Sequence, residues 1–319
     1  MEIIAWGIFV VIVCCLLAFD LGVLNKNEHV ISTKEAIATT ILWIVLALVF
    51  NVVVYFAYAH NWFDLLSHSP DIKTGKEAAL KFFTGYLIEK ALSLDNIFVI
   101  AMLFSYFKIP GLYQHRVLFW GILGALFFRA VMILLGSALV LKFSWIMYVF
   151  GALLVFSALK MLFGKEEEFD AEKSKVIRAI RKFYPVSNEL DGHNFFTVQN
   201  GVKMVTPLFV VLMVIETTDI MFAVDSIPAI FVITTDPFIV FTSNVFAILG
   251  LRSLYFVLAS FMDKFKYLKY SLVVLLLFIG IKMLLLQVFH LPVSISLLII
   301  ILILSAGVVA SIVSDKKSA

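Results

Sequence analysis

The sequence predicts an all-α fold: a polytopic transmembrane helical bundle of about nine spans containing two inverted three-helix repeats. Of the 319 residues, 62% are hydrophobic and 15% charged, with a mean hydropathy of +1.05. Apolar runs long enough to cross hydrocarbon recur along the whole chain. Two acidic segments inside such runs, IEKALSLDNIFVI (88–100) and TDIMFAVDSIPAI (218–230), read as copies of each other.

The spans are expected at 3–24, 36–59, 83–107, 113–135, 143–163, 204–226, 238–262, 268–287 and 293–313. They form a single transmembrane domain over 1–319, with little chain left for a soluble one. The first run lacks a basic leader and a small-residue cleavage site, so it reads as a retained helix. It holds the only cysteines, Cys14 and Cys15, whose adjacency suits neither a zinc site nor ordinary disulfide geometry. Asp20 falls at its end and reads as interfacial. Asn51 in the second span is expected to bond between helices.

Lysine and arginine separate across alternate loops, with 17 on one side, five on the other and three inside the membrane. The richer side is therefore cytoplasmic, which puts the N-terminus outside and the C-terminus inside. The assignment leans on the loop 164–203, the one sizeable extramembrane piece. In that loop Val176, Ile177, Ile180 and Phe183 recur at helical spacing among basic residues, which suits a helix on an anionic leaflet or a solvated linker. Asn200 and Gly201 lie between β-prone runs and signal a hairpin.

The repeat covers three blocks. Glu89 and Asp95 match Asp219 and Asp225 at an offset of 130, Arg129 after GILG matches Arg252 after AILG, and YVFGALLVFSALKML (148–162) matches YSLVVLLLFIGIKML (270–284). Repeat A spans 83–163 and repeat B 204–287. Each holds three helices, and an odd number of crossings inverts one half relative to the other. Alternating-access transporters use this architecture, with the site near the midplane where the halves meet.

The membrane-embedded ionisable groups are Glu89, Asp95, Glu216, Asp219 and Asp225 against Lys90, Arg129 and Arg252. Left unpaired, eight such charges would cost on the order of 20 kcal/mol on the insertion scale. They must face one another, water or a ligand. Arg129 and Arg252, one per repeat, are expected each to hold a carboxylate, and Lys90 to neutralise Glu89 or snorkel. Arg129 and Arg252 also fit simple helix tethers. The residual pair of negative charges matches one divalent cation or two protons.

Oxygen surrounds the acids, from Ser93, Asn96, Thr217, Thr218, Ser226, Ser243 and Asn244, while all six histidines lie in loops or at span ends. Such a set suits manganese, magnesium or calcium better than zinc or copper. The expected metal ligands are Glu89, Asp95, Asn96, Glu216, Asp219, Asp225 and Ser226, with Ser93, Thr218, Ser243 and Asn244 as secondary ligands. Met213 and Met221 leave a thioether ligand open, against ordinary packing. Pro228 cannot donate to Val224, so a kink or break with freed carbonyls is expected beside Asp225. On an unbroken helix Asp95 lies about 120° around from Glu89, so the two reach one ion only after local unwinding, or else have distinct roles.

The segments GYLIEKALSLDNIFV (85–99), ETTDIMFAVDSIPAIF (216–231) and TSNVFAILGLRSLYF (242–256), with TTDPFIV between the last two, resemble the TerC/Alx family of integral membrane proteins, most like its Alx branch, over residues 1 to 313. The resemblance implies about nine helices in the bacterial inner membrane, membership of the lysine-exporter superfamily and a role in manganese efflux. It also brings the labels tellurium resistance and redox modulation, and points to the same seven ligands named above. Manganese as the transported ion owes most to this resemblance.

Alternative readings are a thiol-based redox modulator using Cys14 and Cys15, an amino-acid exporter and a calcium exporter. No GxxxxGK[ST] motif is present, so a proton or potential gradient is the expected drive. Neither an enzyme nor a permanently bound cofactor is expected. The expected partners are the divalent cation and membrane lipids, with no nucleic acid. The sequence leaves the oligomeric state open.

Overall fold

The computed structural model describes residues 2–20, 31–143, 145–164, 174–199, 201–259, 268–286, 288 and 291–318. Asn200, and the loop cations Lys26, Lys165, Lys173, Lys264 and Lys266 used for the topology, lie outside the described residues. Two long helices open the chain, α1 (Glu2–Phe19) and α2 (Thr33–Ala59), followed by a 3-10 turn (Trp62–Asp64) and the short α3 (Leu65–His68). The first half continues as α4 (Gly75–Tyr106), α5 (Gly111–Lys142) and α6 (Ile146–Phe163). An insert of α7 (Lys175–Phe183), β1 (Phe196–Gln199) and β2 (Val202–Val205) leads to α8 (Pro207–Phe231), α9 (Pro237–Ile248), α10 (Leu251–Ala259), α11 (Leu268–Leu284) and α12 (Val293–Ser318).

Local chemistry sets the helix starts. Ser32 and Thr74 accept hydrogen bonds from the backbone N–H of Glu35 and Glu77, three residues on, where an acid also favours the first turn. Asp236 does the same for Ile239, with Pro237 as the first helical residue of α9. The hairpin forms as its sequence predicts: β1 and β2 pair antiparallel, with Phe196 opposite Val205, and Gly201 takes a φ of 77° that favours glycine.

The chain is an all-α, multi-pass membrane protein. Among the described residues six helices are long and apolar enough to cross a membrane, and the α9–α10 pair makes a seventh. Helices also stand at the other two expected positions, but α4 carries Lys81, Glu89, Lys90 and Asp95, and α11 has 17 residues.

Helix shape departs from expectation at one proline. The seventh span is bent, α9 and α10 meeting at 42° where Gly250 adopts a φ of 92°. A side chain there would also strike Trp43, its Cβ falling 2.8 Å from that of Trp43. Conversely, α8 continues through Pro228 to Phe231, so no unwound segment lies beside Asp225. One missing N–H near a helix end is tolerated because only the last turn follows it.

Helices whose sequences align as a repeat lie against each other, α4 on α8, α6 on α11, and α5 on both α9 and α10. Gly151 and Gly280 bring α6 and α11 together, since a Cβ on Gly280 would lie 3.0 Å from the Gly151 carbonyl oxygen. A cluster of phenylalanines including Phe9, Phe50, Phe82 and Phe246 welds α1, α2, α4 and α9. Part of the apolar face of α7 packs on protein, with Ile177 buried in the cluster that contains Val210 and Val211 of α8, while Phe183 is exposed.

Candidate cation site

At the crossing of α4, α5 and α8 an arginine joins two carboxylates. Arg129 is 2% exposed, Glu89 is fully buried and Asp219 is 8% exposed. The Nη1 of Arg129 is paired with Glu89 Oε1, while Nη2 and Nε reach Asp219 Oδ1 and Oδ2 at 3.0 and 3.3 Å. Asn244 of α9 donates to Glu89 Oε2 at 3.0 Å, and Asn96 of α4 donates to Asp219 Oδ1 at 3.3 Å. Ser226 Oγ and Asn244 Oδ1 each lie 3.4 Å from the guanidinium. Charges this deeply buried persist only when paired and hydrogen-bonded throughout, and this cluster supplies both.

A cavity of about 400 Å³ opens beside the cluster, and its walls include Glu89, Asp95, Asn96, Arg129, Asp225 and Ser226. Asp225 accepts a hydrogen bond from Ser157 Oγ of α6 at 2.8 Å. Lys160, Met161 and Gly164 at the end of α6, Lys269 at the start of α11 and Met221 also line it, with Leu92, Phe222, Leu272 and Leu276 as its apolar wall. The cavity therefore gathers paired positions of the two acidic motifs, Asp95 with Asp225 and Asn96 with Ser226, around the face of Arg129.

The remaining expected site residues lie elsewhere. Glu216 does not line the cavity: it sits against Gly124, where an added Cβ would strike its carboxylate, and its Oε2 is buried without a partner. Lys90 does not neutralise Glu89, because adjacent helical residues point apart. It donates to the carbonyl of Ala247 at 3.0 Å, where α9 ends and its last carbonyls lack helical partners. Nor does Arg252 hold a motif carboxylate. It pairs with Asp20 at 2.6 Å and meets His115 Nε2 at 2.7 Å, so Asp20 is a buried partner.

Thr218 bonds back to Val214 and lines a second, much smaller cavity with Asp219 and Arg252. Ser243 bonds back to Val240, while Ser93 Oγ is buried without a partner. Asn51 Oδ1 likewise has none among the described residues. Among the described residues, no three His, Cys, Asp or Glu side chains are gathered as a metal centre; Arg129 fills the place between Glu89 and Asp219. Sequence reasoning missed Ser157, Lys160, Met161 and Lys269. The signal available was that Ser157, Lys160 and Met161 fall at i, i+3 and i+4, one face of a helix.

Residues 74–319 match the family described as "Integral membrane protein TerC family". The chain is 47% identical over 313 residues, 98% of its length and 93% of the relative's, to "Uncharacterized membrane protein STKORF319" of Myxococcus xanthus. It is 45% identical over 293 residues, 92% of its length and 89% of the relative's, to the Escherichia coli (strain K12) protein named "Putative membrane-bound redox modulator Alx". A protein of the same name from Salmonella typhi is 45% identical over 305 residues, 95% of this chain and 92% of its own length. No solved structure matches the chain.

Proposed function

The chain belongs to the TerC family of integral membrane proteins, and we propose that it exports a divalent metal cation, manganese foremost, across the bacterial inner membrane by alternating access. One observation carries this reading: both acidic motifs converge, Glu89 and Asp219 on the single cation Arg129, with Asp95 and Asp225 in the cavity beside it. Packing of equivalent helices against each other supports two halves that rock about a shared site.

The cavity is lined at one end by the C-terminal residues of α6 and the first turn of α11, which adjoin the Lys-rich connections. By the positive-inside rule this end is cytoplasmic, with the N-terminus outside and the C-terminus inside. Its volume of about 400 Å³ exceeds that of six waters at ~30 Å³ each, so a cation enters still hydrated. Asp95 and Asp225, with Asn96 and Ser226, receive it first. Inner-sphere binding to Glu89 and Asp219 requires Arg129 to release them, which couples cargo binding to separation of α4, α5 and α8. When the cargo leaves outward, Arg129 re-forms its two pairs and closes the empty site.

Radioactive manganese uptake into inverted membrane vesicles tests this. Export predicts accumulation that D95N and D225N abolish while both variants still insert. Lys160 and Lys269 beside the carboxylates give the cavity both signs of charge, as an amino-acid zwitterion would need. Competition by lysine and by neutral amino acids in the same assay decides between the two cargoes. A thiol-based redox role rests on Cys14 and Cys15, which are free and exposed on α1. Cys14→Ser with Cys15→Ser leaves export intact and abolishes any thiol-dependent activity.

A further inference from the structure

Most donors in the cavity do not rank the cations that fit it. Carboxylate, amide and hydroxyl oxygens from Asp95, Asp225, Asn96, Ser226 and Ser157 accept manganese, magnesium and calcium alike. Magnesium is normally the most abundant of these inside a cell, so an exporter built of oxygen ligands alone would be occupied by the wrong ion. The cavity lining also contains two soft donors, the thioethers of Met161 and Met221.

Their placement is local and convergent. Ser157 of α6 donates to Asp225 of α8 at 2.8 Å, which joins the two helices at that level. Met161 stands one helical turn after Ser157, and Met221 one turn before Asp225, so each thioether shares a helix face with one member of the pair. Met161 is half-buried and packs partly against the core, yet it also lines the cavity. Met221 is 61% exposed and lines the cavity. Met283, which matches Met161 in the repeated Lys-Met-Leu, is completely buried in the core of α6, α8 and α11.

We propose that Met161 and Met221 are the specificity-determining residues of the cavity, and that their sulfur atoms favour a transition-metal cation over magnesium and calcium. The proposal rests on the cation-export reading and names the cargo class of that same site. A thioether replaces one water of a partly dehydrated transition-metal ion. It offers little to magnesium, which holds its waters tightly and demands oxygen. Thioether chains are also flexible enough to follow the ion as α6 and α8 move.

The test uses the full chain in proteoliposomes, with Mn²⁺, Cd²⁺, Mg²⁺ and Ca²⁺ as probes, comparing wild type with M161L/M221L and with M283L. Leucine keeps apolar volume and removes only the sulfur. Wild type should prefer Mn²⁺ and Cd²⁺. The double variant should lose about tenfold of its Mn²⁺/Mg²⁺ affinity ratio, mostly through weaker Mn²⁺ binding, and M283L should keep the wild-type ratio. X-ray absorption on the Cd²⁺-loaded wild type should show sulfur in the first shell, absent from the double variant. An unchanged ratio in M161L/M221L, or an all-oxygen shell in wild type, overturns the proposal and leaves cation export standing. Should wild type bind none of the four ions, it is the export reading itself that fails. If the double variant does not fold, the single variants and the wild-type absorption spectrum decide.

Discussion

Arg129 meets Asp219 through two nitrogens at once, with Nη2 3.0 Å from Oδ1 and Nε 3.3 Å from Oδ2, and turns its third nitrogen to Glu89. One guanidinium thus fastens α4 to α8, the two helices that carry the duplicated acidic motifs. A lysine could not do this, because an ammonium is a point donor without the planar fork that spans two carboxylates.

Removing Arg129 strands two buried carboxylates. R129M should destabilise the protein by about 3–5 kcal/mol, the usual cost of deleting one side of a buried pair. R129K should fall between the two. Thermal unfolding in detergent measures this, and the metal dependence adds the informative half. Mn²⁺ should raise the midpoint of R129M more than that of wild type, since the cation then serves both carboxylates, and a chelator should cancel the gain. Equal shifts in both proteins would mean that cargo and arginine do not share these ligands.

Asp225 offers a cleaner separation of fold from transport. D225N keeps an oxygen to accept the Ser157 hydrogen bond, so folding should change little while Mn²⁺ export disappears. S157A removes the donor but not the charge. It should cost about 1 kcal/mol of stability and retain measurable export. If S157A is as inactive as D225N, the hydrogen bond and not the charge is what the cargo needs.

The parts of this arrangement that could be read beforehand are those that local chemistry dictates. Glu89, Asp95, Asp219 and Asp225 stood out because acids in apolar runs must be compensated and because their spacing repeats. The hairpin at Gly201 followed from turn chemistry. The ion pair of Asp20 went unforeseen because hydropathy registers its place at the end of a run but not a partner 232 residues away. The sharing of one arginine by both motifs, and the separate fate of Arg252, depend on which helices touch, and a repeat offset carries no such information. Pro228 was over-read for a different reason. A proline rule is local, whereas the actual break falls at Gly250, where a positive φ and contact with Trp43 exclude a side chain.

Gly124 and Glu216 supply a packing prediction. A Cβ at position 124 would collide with the Glu216 carboxylate, so G124A should destabilise by about 1–3 kcal/mol, as overpacking does. The double variant G124A/E216A should recover most of that loss, because the two positions are in contact. A double-mutant cycle by thermal unfolding reads the coupling directly. Additive effects would mean that Glu216 swings clear of α5 at little cost.

Arg252 aligns with Arg129 when GILG is matched to AILG, yet its partner is Asp20, at 2.6 Å. The pair ties α1 to α10 just past the bend at Gly250, and His115 brings α5 to the same point. This role is a tether, and it predicts a signature different from that of Arg129. D20N should cost about 3–5 kcal/mol by depriving a buried guanidinium of its counter-charge, whereas D20L/R252M should be close to neutral because both charges leave together. Export should survive in D20L/R252M, since neither residue lines the larger cavity. A double variant as stable as wild type but inactive in Mn²⁺ uptake would show that Arg252 acts on the cargo, and that the symmetry of the two arginines is functional after all.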